Sequence, residues 1–222
     1  MAIDTAHLLG LARGYEALAR AALAKRLEGR RIDEEQRAAH GLAWIATSVA
    51  ALEALAAWEK AGAGLNPLDA LVTRLGFAET LAQLVGGLPM GQNELLRPAD
   101  LGLADAARDL ADACGDLLNA DHASARAELA QLLAQGVWPS ETLGDADLDA
   151  IRDQFRRFTE AEILPNAHKW HLANDLIPDA TVAAMAQLGT FGVCIPEEFG
   201  GLGLSKLVMC LVTEELSRGW IG

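Results

Sequence analysis

The chain carries one tyrosine, five phenylalanines and five tryptophans in 222 residues, three cysteines, and 18 lysines and arginines against 31 aspartates and glutamates. Each shortage excludes something. A net charge of −13 argues against nucleic acid as a partner, because that affinity comes from cations clustered on phosphates. It argues equally against an anionic membrane surface. Cys114, Cys194 and Cys210 are odd in number and far apart, so no disulfide framework is expected, and a reducing cytoplasm fits. No apolar run reaches the roughly 20 uncharged residues that a bilayer requires. The most apolar windows, 42–58, 180–195 and 202–216, are interrupted or ended by Glu53, by Glu197 and Glu198, and by Glu214 and Glu215. Met1-Ala2-Ile3-Asp4 offers no basic start to a cleavable leader. Composition also excludes low-complexity disorder and collagen-like repeats.

What is abundant is alanine, about a fifth of the chain. It is the strongest helix former and adds little apolar surface. Helical spacing of apolar residues runs almost throughout. Leu8, Leu11, Tyr15, Leu18 and Leu23 mark a first helix over about 4–27, and the cations after it (Lys25, Arg26, Arg30, Arg31) read as its solvated end. Asp33, with Gln36 as capping-box partner, predicts the start of a second helix running to Lys60 and ended by Gly62 and Gly64. Asn66-Pro67 opens a third, to about Val85. A turn-rich break, 86–100, precedes helices over 101–118 and 122–135. Residues 137–146 read as a linker between a helical unit, 1–136, and a second one, 147–222.

The second unit opens on an acidic first turn (Asp145, Asp147, Asp149), and Pro165 ends or kinks its first helix. Ile177-Pro178-Asp179 starts another, to about Leu188. A glycine-rich stretch, 189–204, leads to Ser205 as the cap of a last helix, 206–217. The only hint of strand alternation is Val193-Cys194-Ile195. The expected fold class is all-α, with about eight helices in two units.

The candidate chemistry is thin. His168 and His171 are three apart with Asp175 beyond, but a third ligand is missing and Pro165-Asn166 suggests irregular backbone, so no metal site is expected. His7, His40 and His122 are isolated. The loop Gly200–Ser205 lacks the spacing of a phosphate-binding P-loop. The neighbours Glu197-Glu198 and Glu214-Glu215 read as helix surface, and Cys194 and Cys210 as inert core. No catalytic or cofactor-binding residue is nominated.

Residues 186–219, AQLGTFGVCIPEEFGGLGLSKLVMCLVTEELSRG, nevertheless form a long composite signature. An L-G helix end, a short apolar run, the loop P-E-E-F-G-G-x-G-x-S and a helix ending E-E-L-S-R resemble the N-terminal α-helical domain of the acyl-CoA dehydrogenases. The resemblance covers about 145–222. It implies Pro196, Gly200, Gly201, Gly203 and Ser205 as a structural loop, and Trp220 and Ile221 at the approach to the acyl pocket. It further implies an FAD enzyme that uses a Glu base and a flavin, acts on an acyl-CoA, passes electrons to an electron-transfer flavoprotein and is a homo-oligomer. In the family the base and most flavin contacts lie further along the chain. A truncated chain, inactive and without bound flavin, is therefore expected.

Ala43–Trp58, Phe77–Gly102 and Ser217–Gly222 resemble one subgroup, the methylsuccinyl-CoA dehydrogenases of the ethylmalonyl-CoA pathway, which oxidise (2S)-methylsuccinyl-CoA to mesaconyl-CoA. Another short branched acyl-CoA as substrate, or a non-catalytic helical interaction module, remains the alternative.

Overall fold

The computed structural model describes residues 3–61, 66–141 and 143–221. The chain divides into two compact units, Met1–Glu141 and Thr142–Gly222. Its fold class is all-α, with one short hairpin among the described residues.

In the first unit α1 (Thr5–Arg26), α2 (Gln36–Ala61) and α3 (Pro67–Gly86) pack together. Asp4 caps α1 by accepting the His7 N–H at 2.9 Å, and Asn66 caps α3 by accepting from Leu68 at 2.9 Å. The second helix starts later than expected. Ile32–Glu34 form a single 3-10 turn, and Asp33 is paired with Arg31 at 2.8 Å rather than capping. The expected stops, Gly62 and Gly64, lie outside the described residues. By length and composition α2 could cross a membrane. Its stripe of Ala38, Ile45, Val49 and Leu52 is nonetheless buried in a core shared with Leu8, Tyr15 and Leu23 of α1 and Phe77 and Leu81 of α3.

The break after α3 is a β-hairpin: β1 (Leu88–Gly91) pairs antiparallel with β2 (Glu94–Leu96), Leu88 opposite Leu96. Strands of four and three residues are too short for a period of two to stand out in the sequence. The hairpin rests on α2 at Gly41, where a Cβ would come within 2.6 Å of Leu96. One cation of the cluster expected to be solvated helps hold this corner. Arg26 donates to the Asp100 carbonyl at 2.6 Å, whereas Arg30, paired with Glu35 at 2.5 Å, stays exposed. Arg37 of α2 adds a bond to the Leu95 carbonyl at 2.8 Å. The expected helix over 101–118 resolves into a 3-10 turn (Pro98–Leu101), α4 (Ala104–Ala113) and α5 (Gly115–Leu118), followed by α6 (His122–Ala134).

Residues 138–140 are tied into this unit. The Ser140 N–H donates to Asp69 at 2.9 Å, its hydroxyl donates to the same carboxylate, and the Trp58 indole N–H donates to the Ser140 carbonyl at 2.8 Å. Asp69 is buried, so removing its carboxylate leaves donors without an acceptor. Asp69→Ala is expected to cost about 1–3 kcal/mol and to strip amide-exchange protection from Ser140 while sparing the middle of α2. Unchanged protection at Ser140 would refute this tie.

In the second unit α7 (Ala146–Phe158) is capped by Asp145, which accepts from Asp147 at 2.9 Å and Leu148 at 3.2 Å. A π-turn (Thr159–Ile163) then leads into α8 (Leu164–Ala173). Pro165 therefore does not end the helix. Its ring and missing N–H disrupt the bond to residue 161, and the wider turn just before it absorbs the misfit. α9 (Asp179–Gln187) and α10 (Lys206–Gly219) follow. Phe155, Val193, Val208 and Val212 form the core.

Candidate functional site

The loop between α9 and α10 is built by short-range backbone bonds. Gly189 leaves α9 in the left-handed region, φ 83°. The Leu202 N–H donates to the Gly192 carbonyl at 2.9 Å, Gly203 to Ile195 at 2.8 Å, and Leu204 to Val193 at 2.8 Å. These bonds fold 192–195 against 202–204 without making a strand of Val193-Cys194-Ile195. Pro196 opens a 3-10 turn (Glu197–Phe199), and Gly200 and Gly203 adopt φ of 82° and 62°. Gly201 is needed for a different reason: a Cβ there would lie 2.1 Å from the Ile195 carbonyl oxygen. The tight approach is therefore within the loop itself. Ser205 caps α10 by accepting the Val208 N–H at 3.4 Å.

Beneath the loop α10 is locked to α7 by a residue that the sequence placed on the surface. Glu215 is 2% exposed. Arg156 meets it with two bonds, Nε to Oε2 at 3.0 Å and Nη2 to Oε1 at 2.6 Å, and Arg218 adds one at 2.7 Å. Burial pushes the Glu215 carboxyl upward. The hydrogen bonds and charges of Arg156 and Arg218 outweigh this and hold it below its ordinary value. Adjacent glutamates gave no hint of this, because only the approach of α7 decides which one turns inward. The signal available was Arg156, Glu215 and Arg218 on two amphipathic helices.

Gly219 closes the end of α10 onto the π-turn, where a Cβ would come within 2.7 Å of Thr159 and Ile163. The Thr159 hydroxyl is buried with no hydrogen-bond partner among the described residues. Thr159→Val keeps the shape and removes that orphan. It is expected to stabilise this unit by about 1 kcal/mol in urea denaturation; a loss of similar size would show that the hydroxyl is satisfied.

Trp220 stacks on Trp170 of α8, centroids 5.4 Å apart and planes at 24°, and Ile221 is 88% exposed. Glu197 and Glu198 are exposed, and Phe199 is 75% exposed. Cys194 and Cys210 are not both core: Cys210 is exposed, and Cys194 is half-buried with Sγ 3.4 Å from the Ser205 carbonyl. α10 buries only one stripe, and position 210 falls outside it. His168 and His171 sit exposed on regular helix rather than irregular backbone, and no group of metal-ligating side chains occurs among the described residues.

Residues 145–222 match the family model of the acyl-CoA dehydrogenase N-terminal domain. This segment belongs to that family. Its α7, π-turn, α8, α9, glycine loop and α10 are thus the dehydrogenase N-terminal fold. The chain is also 41% identical over 209 residues to (2S)-methylsuccinyl-CoA dehydrogenase of Cereibacter sphaeroides, covering 89% of this chain and 37% of that protein. It is 37% identical over 75 residues to glutaryl-CoA dehydrogenase of Desulfococcus multivorans, covering 33% of this chain and 19% of that one. Mitochondrial isovaleryl-CoA dehydrogenase of Solanum tuberosum is 34% identical over 69 residues, 31% of this chain and 17% of that one. The chain thus spans well under half the length of each relative. A 209-residue match necessarily takes in most of the unit before the dehydrogenase domain; the two shorter matches are each about as long as that domain alone.

Proposed function

We propose that the chain is the N-terminal part of an FAD-dependent acyl-CoA dehydrogenase that oxidises (2S)-methylsuccinyl-CoA to mesaconyl-CoA in the ethylmalonyl-CoA pathway. One observation carries the substrate reading: similarity to the methylsuccinyl-CoA enzyme runs through both units, whereas the glutaryl- and isovaleryl-CoA enzymes match about a third of the chain. In this reading the flavin site is not built by this chain alone. The depression beside the glycine loop, about 430 Å³, is lined by Glu197 and Glu198, carboxylates that repel a pyrophosphate. In this reading the contribution of this chain is mechanical. Arg156, Glu215 and Arg218 fix α10, and the Trp170–Trp220 stack fixes the direction in which residues 220 and 221 leave it. In this reading those two residues stand at the approach to the acyl pocket, electrons pass to an electron-transfer flavoprotein, and the enzyme is a cytoplasmic homo-oligomer.

The test is an assay of the protein encoded by the whole reading frame against methylsuccinyl-, butyryl-, isobutyryl-, glutaryl- and isovaleryl-CoA with an artificial electron acceptor. The highest kcat/KM is expected for methylsuccinyl-CoA. A preference for any other overturns the substrate reading alone, and no activity with any overturns the enzyme reading. The 222-residue chain alone is expected to purify colourless; flavin absorbance near 450 nm, a band that belongs to the cofactor, would contradict the mechanical role.

A further inference from the structure

The first unit contains a pocket unrelated to the loop described above. It lies where the start of α1, the middle of α3 and the α4–α5 junction converge, with a volume of about 270 Å³. Leu8, Ala113, Cys114 and Leu117 give it an apolar wall, and Leu8, Cys114 and Leu117 are buried. Four polar side chains line it: Asp4, His7, Arg74 and Asp116, and His7 is exposed. Asp4 is engaged as the N-cap of α1, Asp116 is exposed to water, and Arg74 is half-buried. Arg74 makes no ion pair among the described residues; the Asp121 carboxyl, held below its ordinary value chiefly by hydrogen bonds from Ser124, also feels its charge.

A guanidinium without a bound carboxylate, facing a pocket with an apolar wall, is an unfilled half of a charge-assisted pair. We infer that this pocket binds a short aliphatic monocarboxylate, its carboxylate on Arg74 and its hydrocarbon end against Leu8 and Leu117. The acidic rim sets the selectivity: Asp4 and Asp116 repel a second negative charge, so a monoanion enters and a dicarboxylate does not. The volume admits a chain of a few carbons and excludes a nucleotide. This inference is independent of the dehydrogenase reading, since it concerns the other unit and a free acid.

The test is a titration of the ¹⁵N-labelled 222-residue chain with butyrate, followed by ¹H–¹⁵N correlation spectra. Saturable shifts are expected at Leu8, Cys114 and Leu117, with a millimolar Kd. Arg74→Gln should weaken binding about tenfold or more, Arg74→Lys should retain part of it, and Ala120→Leu should block it sterically with Arg74 in place. Methylsuccinate and n-butylammonium should shift these resonances weakly or not at all. No saturable shift with butyrate up to about 50 mM, binding that survives Arg74→Gln, or tighter binding of butylammonium or methylsuccinate would each overturn the assignment.

Discussion

Glu215→Ala is expected to destabilise the second unit by roughly 3–5 kcal/mol, the usual cost of removing one partner from a buried ion pair. The side chain removed is 2% exposed, and its loss takes a buried acceptor from two guanidinium groups, Arg156 less exposed than Arg218. Glu215→Gln keeps the shape but removes the charge and should lose most of the same stability. The pH dependence follows from the direction of the shift. The folded carboxyl lies below its ordinary value of 4.5, so its contribution is fully present above that pH and is lost as pH falls through the lowered folded value. Urea denaturation at neutral pH and again in the acid range checks both statements. Glu215→Gln should flatten this part of the acid decline. A loss below about 1 kcal/mol would place the interaction with ordinary surface ion pairs and refute the locking role given to it.

Gly201→Ala should have an effect of similar size by a different route. Its Cβ would sit 2.1 Å from the Ile195 carbonyl oxygen, and backbone cannot turn aside as a side chain can. The same carbonyl accepts the Gly203 N–H at 2.8 Å, so opening the contact also breaks the loop's internal bonding. A cost of about 3 kcal/mol or more is expected, with shift changes spread over 192–204 in amide spectra. Gly200→Ala provides the contrast. Its φ is 82° and nothing lies within 4 Å of the added carbon, so only the left-handed backbone penalty of about 1–2 kcal/mol applies. If the two substitutions cost the same, close approach is not the reason that position 201 is glycine.

These residues show how unevenly the site could be read from the sequence. The loop was legible because glycines, Pro196 and Ser205 act through local backbone geometry. Glu215 was not, because adjacent carboxylates on a helix differ only in what packs against them, and that neighbour, α7, lies some 60 residues earlier. The hairpin at 88–96 was missed for a related reason: its strands are stabilised by Leu88, Met90 and Leu96 in the core formed with α2 and α3 rather than by a visible alternation. Pro165 was read as a helix end or kink; the helix does not end there, and the distortion takes the form of the π-turn at 159–163.

The sequence by itself determined the helical class, the start of the third helix at Asn66-Pro67, the cap at Ser205 and the family of the segment 145–222. All of these rest on local propensity, on hydrogen bonds spanning at most four residues, or on a contiguous signature. The tertiary structure alone decided which charged groups are buried. It turned Glu215 inward onto Arg156, set Asp69 to hold Ser140, and left Arg74 lining a pocket with no ion pair among the described residues. Ion pairing and burial depend on distances between segments far apart in the chain, and no local pattern of residues encodes them.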